Sequence, residues 1–168
     1  MPSNLDSITR SFAILAPVPL AHLKSAQAEQ LDPVAFGSRV YDTFFEAEQL
    51  RAGKRVQVYL YASWLPGDDP EEHITPPSVT WQGLYVRCLD PAKPRDRREI
   101  PSLRPPSTEN ERGWGVYWVL EGLTRLSSPL AIASFRGLKQ RSPYRETFVP
   151  EEPLLIEYPR RTSPLSAR

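Results

Sequence analysis

RVQVYLYAS, residues 55–63, alternates without a break: Val56, Val58, Leu60 and Ala62 fall on one side of an extended chain, and Gln57, Tyr59, Tyr61 and Ser63 on the other. Successive side chains of a strand point to opposite faces, so this segment is a strand with one dry face turned to a core. The same period returns in VTWQGLYVRCL, residues 79–89, where Val79, Trp81, Gly83, Tyr85 and Arg87 share a face and Thr80, Gln82, Leu84, Val86 and Cys88 the other. A glycine in mid-strand, here Gly83, predicts a bulge or a bend. WGVYWVLEGLTRL (114–126) is a further strand, LAIASF (130–135) a short one, and PLLIEY (153–158) closes the pattern.

Ahead of these strands the period changes. SFAILAP, residues 11–17, reads as a short strand ended by a proline, and Leu20, Leu23 and Leu31 then recur at helical spacing. Residues 32–37 hold Pro33 and Gly37 and read as a loop. Ser38 is placed to cap a second helix carrying Val40, Tyr41, Phe44, Phe45, Ala47 and Leu50, which stops at Gly53. Five or six strands, two early helices and no regular strand-helix alternation predict an α+β fold built on a small, curled, barrel-like sheet with flanking helices.

PGDDPEEHITPPS, residues 66–78, is an acidic, proline-rich loop. Residues 90–113 combine prolines with Arg95, Arg97, Arg98, Arg104 and Arg112, show no apolar period, and are expected to be a long loop ordered by a partner. Residues 1–10 read as a flexible N-terminus and 159–168 as a flexible basic tail, leaving one domain over 11–158. At 168 residues such a domain has the size to bury its own core.

With 21 Lys plus Arg against 20 Asp plus Glu, no global field demands a nucleic-acid or membrane partner. No apolar run is long enough to cross a membrane, and the first residues lack a basic-then-apolar leader, so the expectation is a cytoplasmic protein with no membrane partner. One cysteine and two histidines cannot build a four-ligand zinc site or a disulfide framework, and no metal or cofactor is expected. Asp68, Asp69, Glu71 and Glu72 lack the spacing of a calcium loop and read as a solvated face. Cys88 alternates with Leu84 and Val86, which favours an inert thiol over a nucleophile. His22 sits on a helix and His73 in the acidic loop, and no nucleophile elbow, phosphate loop or metalloprotease helix is present. No catalytic residues are expected and the chain reads as a non-enzyme.

GSRVYDTFFEAEQLRAGKRVQVYLYAS, residues 37–63, resembles the corresponding stretch of EVE domains, members of the PUA-like superfamily. There a Gly-x-Arg-x-Tyr segment enters a short helix, and a glycine turn leads into a strand ending in an aromatic and a serine. Gly37, Arg39, Tyr41, the turn from Leu50 to Gly53 and the strand end from Tyr61 to Ser63 carry the likeness. The remaining pieces follow in the family's order over residues 11–158.

The resemblance implies a five- or six-stranded PUA-like barrel whose concave side receives a nucleobase, often modified, extruded from DNA or RNA. It further implies a nucleic-acid-binding module accessory to a bacterial defence, RNA-processing or DNA-modification system. A flipped base needs planes to stack on and a few hydrogen-bonding groups for its edge. Tyr61, Ser63, Trp64 and Trp81 are the expected lining, with Arg39 and Tyr41 at the rim. Arg95, Arg97, Arg98, Arg136, Lys139 and Arg141 are the expected phosphate contacts. Alternating tryptophans such as Trp81, Trp114 and Trp118 are more often core or barrel lining than stacking platforms. Two other readings are a non-catalytic subunit docking on a protein effector, and a nucleoside amidohydrolase of the related ASCH branch, whose Lys, Thr and Glu set has no evident place in this chain.

Overall fold

The computed structural model describes residues 7–70 and 73–160. Its elements run β1 (Ala13–Pro19), α1 (Leu20–Ala28), β2 (Val34–Ser38), α2 (Asp42–Leu50), β3 (Val56–Ser63), β4 (Ser78–Leu89), α3 (Pro94–Leu103), β5 (Val116–Ala131) and β6 (Leu154–Ile156). Single 3₁₀ turns occupy Pro106–Thr108 and Ile132–Ser134. The six strands form one mixed sheet in the order β2-β5-β4-β3-β1-β6, with β1 and β3 parallel and every other pair antiparallel. The molecule is therefore α+β, as the strand and helix periods predict, and the described residues hold three helices, one more than the two those periods mark.

Alternation along the strands fills both faces. Ile14, Ala16 and Val18 of β1, Val58 and Leu60 of β3, Trp81 and Tyr85 of β4 and Trp118 and Leu120 of β5 form the main core, closed by Leu20 and Leu23 of α1 and Phe44 and Ala47 of α2. The opposite face carries two smaller clusters. One gathers Ala13, Leu15, Tyr59, Ile132, Phe135 and Ile156, and the other places Ile100 and Leu103 of α3 on Ala35, Leu89, Tyr117 and Val119. The predicted dry face of β3 is borne out, since Val56, Val58 and Leu60 are fully buried and Ala62 nearly so.

The sheet is curled but does not close into a barrel. The β4–β5 ladder slips register three times, between Val79 and Trp81, between Gln82 and Leu84 and between Tyr85 and Arg87, and such bulges bend a sheet. Gly83 sits within the second slip, as a mid-strand glycine predicts. The two ends of the sheet are β2 and β6, and among the described residues no ladder joins them. β6 covers only the Ala13 to Leu15 part of the second edge of β1, against Ile156 to Leu154, and in the rest of β1 Pro17 and Pro19 have no N–H to donate to a further ladder.

Several local expectations are corrected. Residues 34–38 are a strand, because Val34 to Ser38 pair with Leu120 to Val116 of β5. Ser38 ends that strand and does not cap α2, whose first residue follows Tyr41. Its hydroxyl donates to the Val40 carbonyl (2.7 Å) and accepts from the Val40 N–H (3.1 Å), closing the turn instead. The 130–135 segment continues β5 and then forms a 3₁₀ turn.

Most important, the stretch 90–113 expected as a loop contains α3. Pro94 suits a first helical position, the Asp96 carboxylate accepts the Asp90 N–H (2.9 Å), and Ile100 and Leu103, three apart, bury against β2, β4 and β5. Residues 7–10 are likewise tied down, with the Arg55 N–H donating to Ser7 and the Thr9 N–H to Arg55, both at 2.9 Å. The rest of the expected N-terminal and C-terminal flexible segments, 1–6 and 161–168, lies outside the described residues. Among the described residues no helix is long and apolar enough to cross a membrane.

Candidate functional site

The curl brings the C-terminal ends of β1, β2 and β3 to one cleft of about 650 Å³, although β5 and β4 lie between β2 and β3 in the sheet. Pro17 and Pro19 come from β1, Gly37 and Ser38 from β2, Ser63 from β3, and Arg39 from the turn into α2. Trp114 and Trp118 enter from β5 and its approach, and Glu151 and Glu152 from the segment before β6. Ser63 reaches the cleft because the parallel β1–β3 ladder sets it opposite Pro19.

The floor is made by a glycine and an indole. A Cβ on Gly37 would lie 2.4 Å from Trp114 Cγ and 2.5 Å from Cδ1, so only a residue without a side chain lets the ring settle on β2 there. The Arg39 guanidinium stands 5.5 Å from the centre of the same ring, a cation–π arrangement on an exposed arginine. Trp118 is almost fully buried, and its indole N–H finds no acceptor among the described residues. The cleft thus offers a half-buried indole with a cation over its ring, a serine hydroxyl and two exposed carboxylates.

Of the six residues expected to line a base pocket, the structure brings Arg39 and Ser63 together and sets the others elsewhere. Trp81 is opposite Leu60 in the β3–β4 ladder and lies fully buried in the main core, where the Arg125 guanidinium covers it at 4.9 Å. Tyr61 belongs to the opposite face and packs with the Tyr59–Phe135 cluster, so a pocket shared by Tyr61 and Trp81 is not formed. The period of two is itself the reason, since Leu60 and Tyr61 must diverge. Burial holds the Tyr61 phenol above its usual pKa. Trp64 donates its indole N–H to the Asp69 carbonyl (3.2 Å) and leans on His73 (ring centres 4.6 Å apart), which anchors it to the acidic loop. Tyr41 is exposed against Phe45.

Trp114 is the cleft residue that sequence reasoning did not place in the site. The signal for it was split between the motif glycine and a tryptophan far along the chain, and the two meet only through the β2–β5 ladder.

The expected phosphate contacts divide in two. Arg95, Arg97 and Arg98 are exposed along α3, and Arg141 is exposed in the loop before β6. Arg136 forms a two-pronged pair with Glu157, through Nε to Oε2 at 2.9 Å and through Nη2 to Oε1, and Lys139 stands 3.4 Å from Glu46. These two cations are therefore partly neutralised by carboxylates. Cys88 is half-buried and burial pushes its thiol pKa up, which keeps it in the unreactive thiol form near neutrality. Among the described residues no three His, Cys, Asp or Glu side chains group as a metal site requires, and Glu71 and Glu72 of the acidic run lie outside those residues. Compared with family models, with curated proteins and with solved structures, the chain matches none.

Proposed function

We propose that the cleft at the ends of β1, β2 and β3 receives a nucleobase extruded from DNA or RNA, and that the chain is a base-reading module of EVE-like, PUA-related descent with an opened barrel. The observation that carries this reading is the Trp114 indole laid on Gly37 with the Arg39 guanidinium 5.5 Å from its centre. Gly37 and Arg39 belong to the stretch that resembles the EVE motif, and Ser63, which ends the same stretch, faces the same cleft.

A cleft of about 650 Å³ lies within the ~300–1,000 Å³ range of small-molecule sites. The base takes the place of the Arg39 guanidinium over Trp114 and stacks there, and Arg39 turns outward to hold the phosphate of the flipped nucleotide. Ser63 and the carboxylates of Glu151 and Glu152 meet the edge of the base. Carboxylates accept only, so they select an edge rich in N–H donors and repel the phosphates, keeping the backbone outside while the base enters.

The test is a binding survey of the full chain against single- and double-stranded DNA and RNA, with and without modified bases. Stacking on a base is worth about 1–3 kcal/mol, so Trp114→Ala weakens binding roughly 5- to 150-fold in a sequence- or modification-dependent way. Arg39→Ala weakens all ligands alike and flattens the salt dependence. The reading fails if no nucleic acid binds the wild type, or if a folded Trp114→Ala protein binds as the wild type does.

A further inference from the structure

The sequence offers no catalytic frame around His22, yet the fold builds one from residues 85 and 89 positions away. His22 Nδ1 lies 2.7 Å from the Ser107 hydroxyl, and His22 Nε2 lies 2.8 Å from Glu111 Oε1. His22 projects from α1 and is mostly buried, its side chain 14% exposed. Ser107 sits exposed in the Pro106–Thr108 turn that packs on α1, and its own N–H donates to Ser25 of that helix at 3.2 Å. The segment carrying the carboxylate is braced by Arg104 and Arg112, whose guanidinium groups donate to the Glu111 carbonyl at 3.3 and 3.0 Å.

Chemistry orders the protons in this chain of contacts. An ionised carboxylate can only accept, so Nε2 carries the hydrogen that bonds to Glu111. In the neutral ring Nδ1 then presents its lone pair to Ser107, whose hydroxyl donates to it. A hydroxyl bonded to a base that is itself oriented by a third group is the arrangement of an activated nucleophile.

We propose that Ser107 is a nucleophile, His22 its general base and Glu111 a positioning residue, forming an acyl-transfer site for small activated esters. The exposed turn admits the substrate from solvent. Ser107 Oγ attacks the ester carbonyl as its proton passes to His22 Nδ1, and the carbon–oxygen bond to the leaving group breaks as His22 returns the proton to that oxygen. Water then attacks the acyl-Ser107 carbonyl, giving its proton to His22, which passes it to Ser107 as the carboxylic acid leaves. This site is independent of the base-binding cleft.

The experiment treats the purified full chain with a fluorophosphonate probe and locates the label by mass spectrometry. Ser107 is labelled faster than the exposed Ser102, whose hydroxyl donates to the Glu99 carbonyl at 2.8 Å and has no histidine bonded to it among the described residues. His22→Gln slows labelling of Ser107 at least about 100-fold, the size of a general-base contribution. Glu111→Gln keeps a side chain of the same shape but not the charge, and slows labelling at least about tenfold with the melting temperature little changed. The proposal is overturned if Ser107 in the wild type labels no faster than Ser102, or if folded Glu111→Gln and His22→Gln proteins label at the wild-type rate. In either event the three residues are only a clasp between α1 and the turn.

Discussion

Gly37 shows how one missing side chain shapes a surface. Because its Cβ would overlap the Trp114 ring, Gly37→Val must drive the indole off β2 or distort the strand. Overpacking of this kind costs about 1–3 kcal/mol. A urea titration is expected to show that loss, and the same variant is expected to lose base binding as fully as Trp114→Ala. Tyr85 illustrates the opposite case, a polar group fully accounted for. Its hydroxyl donates to Glu48 Oε1 at 2.7 Å while Arg51 Nε donates to Oε2 at 2.9 Å. Tyr85→Phe removes one hydrogen bond and leaves Glu48 paired with Arg51, a cost of about 1 kcal/mol. Glu48→Ala strands a buried phenol and costs more, so the order of the two in equilibrium unfolding checks the assignment.

Helix α3 is held by apolar burial and fastened by one ion pair, and the two contributions differ in size and in pH dependence. Ile100 and Leu103 bury against the β2, β5 and β4 side of the sheet. Ile100→Ala is expected to cost about 2–4 kcal/mol at any pH at which the protein folds. Arg87 of β4 pairs with Glu99 of α3 through both terminal guanidinium nitrogens, with each side chain about two-fifths exposed (40% and 39%). Solvent at that exposure limits the pair to less than about 1 kcal/mol.

The hydrogen bond from Arg87 lowers the Glu99 pKa below its usual 4.5. A lowered carboxyl stabilises the fold above its ordinary pKa and loses that contribution as pH falls through the folded value. Glu99→Gln should therefore cost a fraction of a kcal/mol at neutral pH and nothing in acid, while the cost of Ile100→Ala persists. Urea titrations of both variants at neutral and acid pH separate the two.

The strand sequence carries aromatic residues onto both faces of the sheet, and burial raises the phenol pKa at Tyr85 above all, with Tyr61, Tyr117 and Tyr144 shifted the same way. For Tyr85 burial is the largest cause, reinforced by its bond to Glu48. A raised pKa means that the folded state holds its protons when the unfolded chain gives them up. The stability is complete below the ordinary tyrosine pKa of 10.0 and falls as pH rises above it. Tyr85 alone contributes a slope of about 1.4 kcal/mol per pH unit there. The protein is expected to unfold cooperatively in alkali, with tyrosinate absorbance rising together with loss of circular dichroism, and Tyr85→Phe is expected to flatten that limb by about the same slope. A gradual rise of absorbance ahead of unfolding that accounts for all seven tyrosines would contradict the burial of Tyr85.

Strands β1, β3 and β4, helices α1 and α2, and the dry face of β3 were legible in the chain because each rests on a local period of apolar side chains long enough to recognise. β2 was not, since VAFGS is five residues long, sits between Pro33 and the turn into α2, and owes its strand form to pairing with β5. α3 escaped because its buried face is only Ile100 and Leu103 in a stretch of prolines and arginines. Of the cleft, Arg39 and Ser63 could be read from the stretch that contains them, whereas Trp114 joins them only where β2 meets the start of β5. The open sheet, too, is decided by contacts between distant segments, since β2 pairs with β5 at one end and β6 with β1 at the other and no ladder among the described residues joins them. The same holds for Ser107, His22 and Glu111. Periodicity reports which face of an element is buried, but which elements share a boundary is set by packing, and no local pattern records it.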